Sequence, residues 1–136
     1  MLGVRKALPT VRIISKVLTE HGFVILTPHV LEDKLDIEKG VSPREIYERD
    51  IMLLKKADVC VAEISFPSLG VGFEIAYALL NGKPVIALCR RDRVENTSAL
   101  IRGIIDQKFR LITYENPKEA AGRLISTLKN LELDRV

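Results

Sequence analysis

A chain of 136 residues, 47% of them apolar, is long enough to bury one real core, and no linker, like-charge block or internal repeat divides it. The formal charge of +3, from 21 basic and 18 acidic residues, suits a phosphorylated small molecule but is too small to argue for nucleic acid; 5% aromatics without Trp exclude a base-stacking platform. No apolar run reaches the roughly 18 residues that span a bilayer, and MLGVRKALPTVR carries no apolar signal segment, so a cytoplasmic protein without a membrane partner is expected.

The predicted elements begin with an amphipathic helix from about Leu8 to Glu20, stopped at Gly22. Phe23–Leu26 reads as the first strand. Ser42-Pro43-Arg44-Glu45 is a capping box with proline at the first helical position, opening a helix to about Lys56. Val59–Ile64 is the next strand, and its unbroken run Val59-Cys60-Val61-Ala62 points to burial on both faces, as in a parallel sheet. A helix follows from near Val71 to Asn81-Gly82, then a strand at Pro84–Cys89 and a short helix or turn between Thr97 and Ile105. Phe109–Tyr114 is a further strand, and Asn116-Pro117-Lys118-Glu119 caps a C-terminal helix to about Leu131. Cys60 and Cys89 fall inside strands and read as small core residues rather than a disulfide framework.

Strands alternating with helices predict an α/β sandwich with a mostly parallel sheet. Such sheets bind ligands beyond the carboxyl ends of their strands. The loop after Ile64 is therefore the first place to look. There Ser65-Phe66-Pro67-Ser68-Leu69-Gly70-Val71-Gly72-Phe73-Glu74 opens a helix whose small residues let backbone N–H groups approach an anion, with Ser68 as a hydroxyl donor. The plain alternative is an ordinary strand-to-helix turn.

Glu74 sharpens the reading. The helix Val71–Leu80 is otherwise wholly apolar and is expected to be buried nearly all round. A carboxylate there costs several kcal/mol unless it is partnered or working; the alternatives are a solvent-facing gap or a neighbouring backbone cap. Asp50 stands out similarly, projecting into the apolar arc of Ile46, Leu53, Leu54 and Ala57, unless it serves a salt bridge to Arg102 or a residue beside Arg49. A carboxylate pair can break a glycosidic bond, one as nucleophile and one as proton donor. Ser98 is either a helix cap or a phosphate ligand. His29 follows a strand end and is a weaker candidate ligand or acid; with His21 the only other histidine and no zinc spacing, no metal is expected. Arg90-Arg91-Asp92-Arg93 reads as a solvated loop that can steer an anion.

The spacing of Asp50 and Glu74, with Ala57-Asp58-Val59 and Ala62-Glu63 between them, then Pro67-Ser68-Leu69-Gly70-Val71-Gly72-Phe73-Glu74 and Ser98-Ala99-Leu100-Ile101-Arg102-Gly103, resembles the 2'-deoxynucleoside 5'-phosphate N-hydrolases of the nucleoside 2-deoxyribosyltransferase superfamily. The resemblance runs from about Gly22 to the C-terminus. It implies a flavodoxin-like three-layer sandwich, residues 1–136 as one nucleotide N-glycosidase-like domain, and a homodimer. It further implies that Glu74 attacks the anomeric carbon to form a covalent intermediate while Asp50 protonates the departing base. Ser68 with the Gly70 and Gly72 backbone would hold the 5'-phosphate, joined by Ser98 of the partner subunit. No metal or organic cofactor is implied. Members of the family begin with a strand that is central in the order 2-1-3-4-5. Met1–Arg5 starts at or after the loop following it, so that strand is expected to be missing, leaving Phe23–Leu26 without a partner and Val59–Ile64 at an open edge. Two other readings remain open: a deoxyribosyltransferase that passes the sugar to a second base, and a non-catalytic nucleotide-binding module.

Overall fold

The structure, a computed structural model, describes residues 6–27, Leu31 and residues 35–134. In chain order the elements are α1 (Leu8–Glu20), α2 (Pro43–Lys56), β1 (Cys60–Glu63), α3 (Leu69–Leu80), β2 (Val85–Arg90), a 3₁₀ turn (Arg91–Asn96), α4 (Ala99–Arg102), β3 (Phe109–Tyr114) and α5 (Pro117–Asp134). The three strands make a parallel sheet in the order β1-β2-β3, with Cys60 opposite Val85 and Val85 opposite Phe109. Parallel neighbours need a crossover, supplied by α3 between β1 and β2 and by the 3₁₀ turn and α4 between β2 and β3.

The central strand shows why its sequence is apolar without interruption. Val85, Ala87 and Cys89 of β2 face a core shared with Ile75 and Ala78 of α3, while Ile86 and Leu88 face a second core built with α1 and α5. In that second core Ile14 and Leu18 of α1 meet Ala120, Ala121, Leu124, Ile125 and Leu128 of α5 over Ile112 and Tyr114. The result is the expected three-layer α/β sandwich. Its helix starts follow local chemistry: Ser42 Oγ accepts the Glu45 N–H at 3.2 Å, and Asn116 Oδ1 accepts the Glu119 N–H at 2.9 Å. Gly82, at φ +75°, turns the chain from α3 into β2.

Three expectations need correction. Phe23–Leu26 is not a strand: Phe23 and Ile25 are half-buried against the α1/α5 core, but no described strand lies beside them to form a ladder. A β run becomes a strand only when a neighbour supplies donors and acceptors. Among the described residues β1 is correspondingly an edge strand, with Val61 38% exposed. Secondly, α3 starts at Leu69 rather than Val71, because Ser68 caps it. Thirdly, α3 is not buried all round. Only Ile75 and Ala78 are fully buried, whereas Leu69 is 95%, Phe73 52% and Leu80 87% exposed, since nothing in the described chain covers that side.

Leu124 joins α5 to the sheet and is fully buried. Leu124→Ala should lower the unfolding free energy by about 2–5 kcal/mol in urea titration, with the m-value unchanged.

Candidate active site

The site is built on the loop that leaves β1. Ser65 is fully buried and bonded through every polar group it has. Its N–H donates to Glu63 Oε1 at 2.5 Å, its Oγ accepts the Arg90 N–H at 2.8 Å, and its carbonyl accepts from Arg93 Nε at 3.1 Å. Glu63 Oε2 accepts from the Tyr114 hydroxyl, and Thr97 Oγ1 donates to the Ile64 carbonyl at 2.6 Å. Burial, reinforced by Glu63, pushes the Tyr114 phenol well above its ordinary range, so it stays a donor. Phe66 follows, with the Arg93 guanidinium 4.6 Å and the Lys6 ammonium 5.3 Å from its ring centre.

The loop ends at Ser68, whose Oγ accepts the Val71 N–H at 3.3 Å and whose carbonyl accepts the Gly72 N–H at 3.1 Å. The Gly72 N–H is therefore bonded within the helix's own ladder. Leu69 and Gly70, in the first turn, have no intrahelical acceptor for their N–H groups. Among the described residues, a Cβ added at Gly70 or Gly72 would meet no heavy atom within 4 Å. Packing among the described residues thus gives no reason for either glycine.

Glu74 lies on the next turn of α3, half-buried. Burial first, and the negative charge of Asp50 second, push its carboxyl up to about 7. Glu74 in turn reinforces the effect of burial on the Cys60 thiol, pushed up to about 12. The group at this corner is therefore Glu74 from α3, Asp50 from α2 and Cys60 from β1. Asp50 itself is half-buried and held by Arg49, whose Nε donates to Asp50 Oδ1 at 3.0 Å. A terminal nitrogen of the same guanidinium lies 2.9 Å from Asp50 and 2.8 Å from Asp36.

Glu74 and Asp50 are thus brought within each other's field, with Ser68, Gly70 and Gly72 a turn earlier on the same helix. Ser98 stands apart: it is exposed, and its Oγ caps α4 by accepting the Ile101 N–H at 3.3 Å. His29 lies outside the described residues, as does Met1–Arg5. Arg90–Arg93 is not a simple solvated loop. Arg90 pairs with Asp92 at 2.7 Å, Arg91 pairs with Glu115, and Arg93 secures Ser65. Sequence reasoning missed Ser65, Arg49 and Asp36. For Ser65 the usable signal was a small polar residue directly after a buried strand; for the Arg49–Asp36 contact, thirteen positions apart, there was none.

Residues 5–120 match the family model described as nucleoside 2-deoxyribosyltransferase. The chain is 58% identical over 128 residues to a Thermofilum pendens protein named "Putative 2'-deoxynucleoside 5'-phosphate N-hydrolase 1", covering 94% of this chain and 90% of that one. It is 41% identical over 107 residues to the mouse 5-hydroxymethyl-dUMP N-hydrolase, covering 76% of this chain and 61% of the mouse protein. Among solved structures, the CMP N-glycosidase BcmB of Clostridium botulinum superposes with a TM-score of 0.69 at 26% identity, covering 88% of each chain.

The raised carboxyl makes a stability prediction. Its folded value, about 7, exceeds the unfolded one near 4.5, so the folded form binds the extra proton between those values. The native state is fully favoured below about pH 4.5 and loses that advantage as pH rises through 7. Glu74→Gln should therefore be more stable than the parent at pH 8, by at most about 3 kcal/mol, and indistinguishable near pH 4.5, in denaturant titrations at the two pH values.

Proposed function

The chain belongs to the nucleoside 2-deoxyribosyltransferase family, and from that premise we propose that it hydrolyses the N-glycosidic bond of 2'-deoxynucleoside 5'-monophosphates, giving a free base and 2-deoxyribose 5-phosphate. The observation that carries this reading is Glu74, a half-buried carboxyl paired electrostatically with Asp50 and set one turn beyond an open, glycine-lined helix start. The names of the relatives support it: two are N-hydrolases of nucleotides and one is an N-glycosidase of a nucleoside monophosphate.

In the proposed reaction the Glu74 carboxylate attacks the anomeric carbon as the C–N bond breaks, and Asp50 gives its proton to the departing base. Water then attacks the same carbon, returns a proton to Asp50 and frees Glu74. The 5'-phosphate rests on the first turn of α3, met by the Ser68 hydroxyl and the N–H groups of Leu69 and Gly70, where the helix dipole favours an anion. Gly72 contributes by having no side chain. Neither a metal nor an organic cofactor has a part in these steps.

The working unit we propose is a homodimer, in which Ser98 of the partner subunit reaches the phosphate. Support comes from the uncovered stripe of Leu69, Phe73 and Leu80, which borders the phosphate turn, and from Tyr47 and Met52 exposed beside it on α2. Tyr47 meets Phe73 edge-on at a ring distance of 6.5 Å and Phe73 stacks on Tyr77 at 6.1 Å, a preformed aromatic surface. We place the protein in the cytoplasm, where the two free, buried cysteines stay reduced.

The test is a base-release screen over deoxy- and ribonucleoside monophosphates and unphosphorylated nucleosides. Deoxynucleoside monophosphates should release base, and Glu74→Ala should reduce the rate by roughly three orders of magnitude or more. Unchanged turnover in that variant would sink the mechanism. Adding a second base and finding exchange, rather than free sugar phosphate, would favour the transferase that the family's description names. Leu80→Asp should leave the monomer folded and abolish the dimer in light scattering, since Leu80 makes little contact within its own chain.

A further inference from the structure

Positive charge gathers on one aromatic ring beside the loop that precedes α3. The Arg93 guanidinium, the Lys6 ammonium and the Arg90 guanidinium lie 4.6, 5.3 and 5.9 Å from the ring centre of Phe66. Arg90 is matched by Asp92 at 2.7 Å. Other acids of this corner are engaged as well: Glu115 by Arg91, and Glu63 by the Ser65 N–H and the Tyr114 hydroxyl. Among the described residues no carboxylate pairs with Lys6 or Arg93. Arg93 is moreover held in place. Its Nε donates to the Ser65 carbonyl at 3.1 Å, while its two terminal nitrogens have no hydrogen-bond acceptor among the described residues. Like charges on one ring repel each other, and the ring face offsets part of that repulsion without neutralising the charge. A half-buried guanidinium fixed by one edge keeps its other edge ready for an anion.

We propose that Lys6 and Arg93 form the cationic wall of the phosphate site and make it selective for a 5'-phosphomonoester dianion over a singly charged phosphodiester or an uncharged nucleoside. The inference rests on the reading that places the 5'-phosphate on the first turn of α3. Phe66 stands two residues before Ser68, a span of at most about 7 Å of chain, so the cations on its ring lie beside that turn. A phosphomonoester carries close to two negative charges above its second ionisation, at about pH 6. A helix start offers about half a positive charge, and Ser68, Leu69 and Gly70 bring only neutral donors. Asp50 and Glu74, the carboxyl groups at the reacting end, make the site less hospitable to an anion. Two unneutralised cations supply what these parts lack, and Arg93, already anchored on Ser65, does so with little loss of side-chain freedom.

The test is calorimetric binding of 2-deoxyribose 5-phosphate to the full chain, which does not depend on turnover. Lys6→Gln and Arg93→Gln should each raise its Kd about ten-fold at moderate salt, while Lys6→Arg and Arg93→Lys should hold it within about three-fold. Where base release is observed, the two Gln variants should raise KM for a deoxynucleoside monophosphate about ten-fold with kcat within about two-fold. They should also shrink the parent's preference for that substrate over its 5'-phosphate methyl ester, a monoanion, by a similar factor. Lys6 is exposed and makes no hydrogen bond among the described residues, so unchanged binding in Lys6→Gln overturns the proposal without ambiguity from misfolding. A loss in Arg93→Gln that Arg93→Lys does not restore also overturns it and leaves Arg93 as a brace for Ser65. Inorganic phosphate that binds through Lys6 and Arg93 without competing with the sugar phosphate overturns it in favour of a separate anion site. Binding that follows the prediction in a chain that releases no base would uphold the cationic wall and reject the hydrolase reading instead.

Discussion

Three hydrogen bonds meet at Ser65: from its own N–H to Glu63, from the Arg90 N–H to its hydroxyl, and from Arg93 to its carbonyl. Parallel strands end with backbone groups that the ladder no longer satisfies, and a buried orphan costs about 1–3 kcal/mol. Here one small residue answers those needs for the ends of β1 and β2 together. The path of the chain from Ser65 to the Ser68 cap is fixed as a result, and with it the axis of α3. Glu74 sits where it does because a four-residue loop, Ser65 to Ser68, begins and ends on well-satisfied serines.

The placement of Glu74 opposes stability, and the fold tolerates it because the opposition is confined to one corner. Ile75 and Ala78, on the inward side of α3, join the core of β1 and β2 and hold the helix down. The outward side is apolar yet uncovered. A helix with three kinds of surface (core, carboxyl and open stripe) is a poor solution for a solitary chain. It suits the proposed role, in which this one helix would fix a charge, present an anion site and meet a second subunit.

Much of the fold was legible because helix starts and sheet interiors are local facts. Ser42 and Asn116 announce their helices by chemistry within three residues, and the unbroken run of β2 reports burial on both faces directly. What misled was non-local. Phe23–Leu26 has the composition of a strand, but strandhood belongs to a pair, and its own letters do not say whether a neighbour is present. The apolar outer face of α3 looked like core, since hydropathy cannot distinguish cover by the same chain from cover by another. At the site, Glu74 and Asp50 could be singled out because each is a charge out of place. Arg49 could not, because an arginine on a helix reads as solvated until Asp36 is seen beside it.

The open side of β1 carries a consequence for how the protein behaves when warmed. Val61 is partly exposed there, Phe23 and Ile25 are held against the α1/α5 core by packing without a ladder, and Cys60, the residue before Val61, lies in the field of Glu74. Loosening begins where cooperative hydrogen bonding is thinnest. Water entering at that margin raises the local dielectric around Glu74 while β2, β3 and the α1/α5 layer are still intact. The carboxyl should then drift back toward ordinary acidity before the core melts. The margin expected to loosen first is thus the strand whose Cys60 lies in the field of the proposed nucleophile.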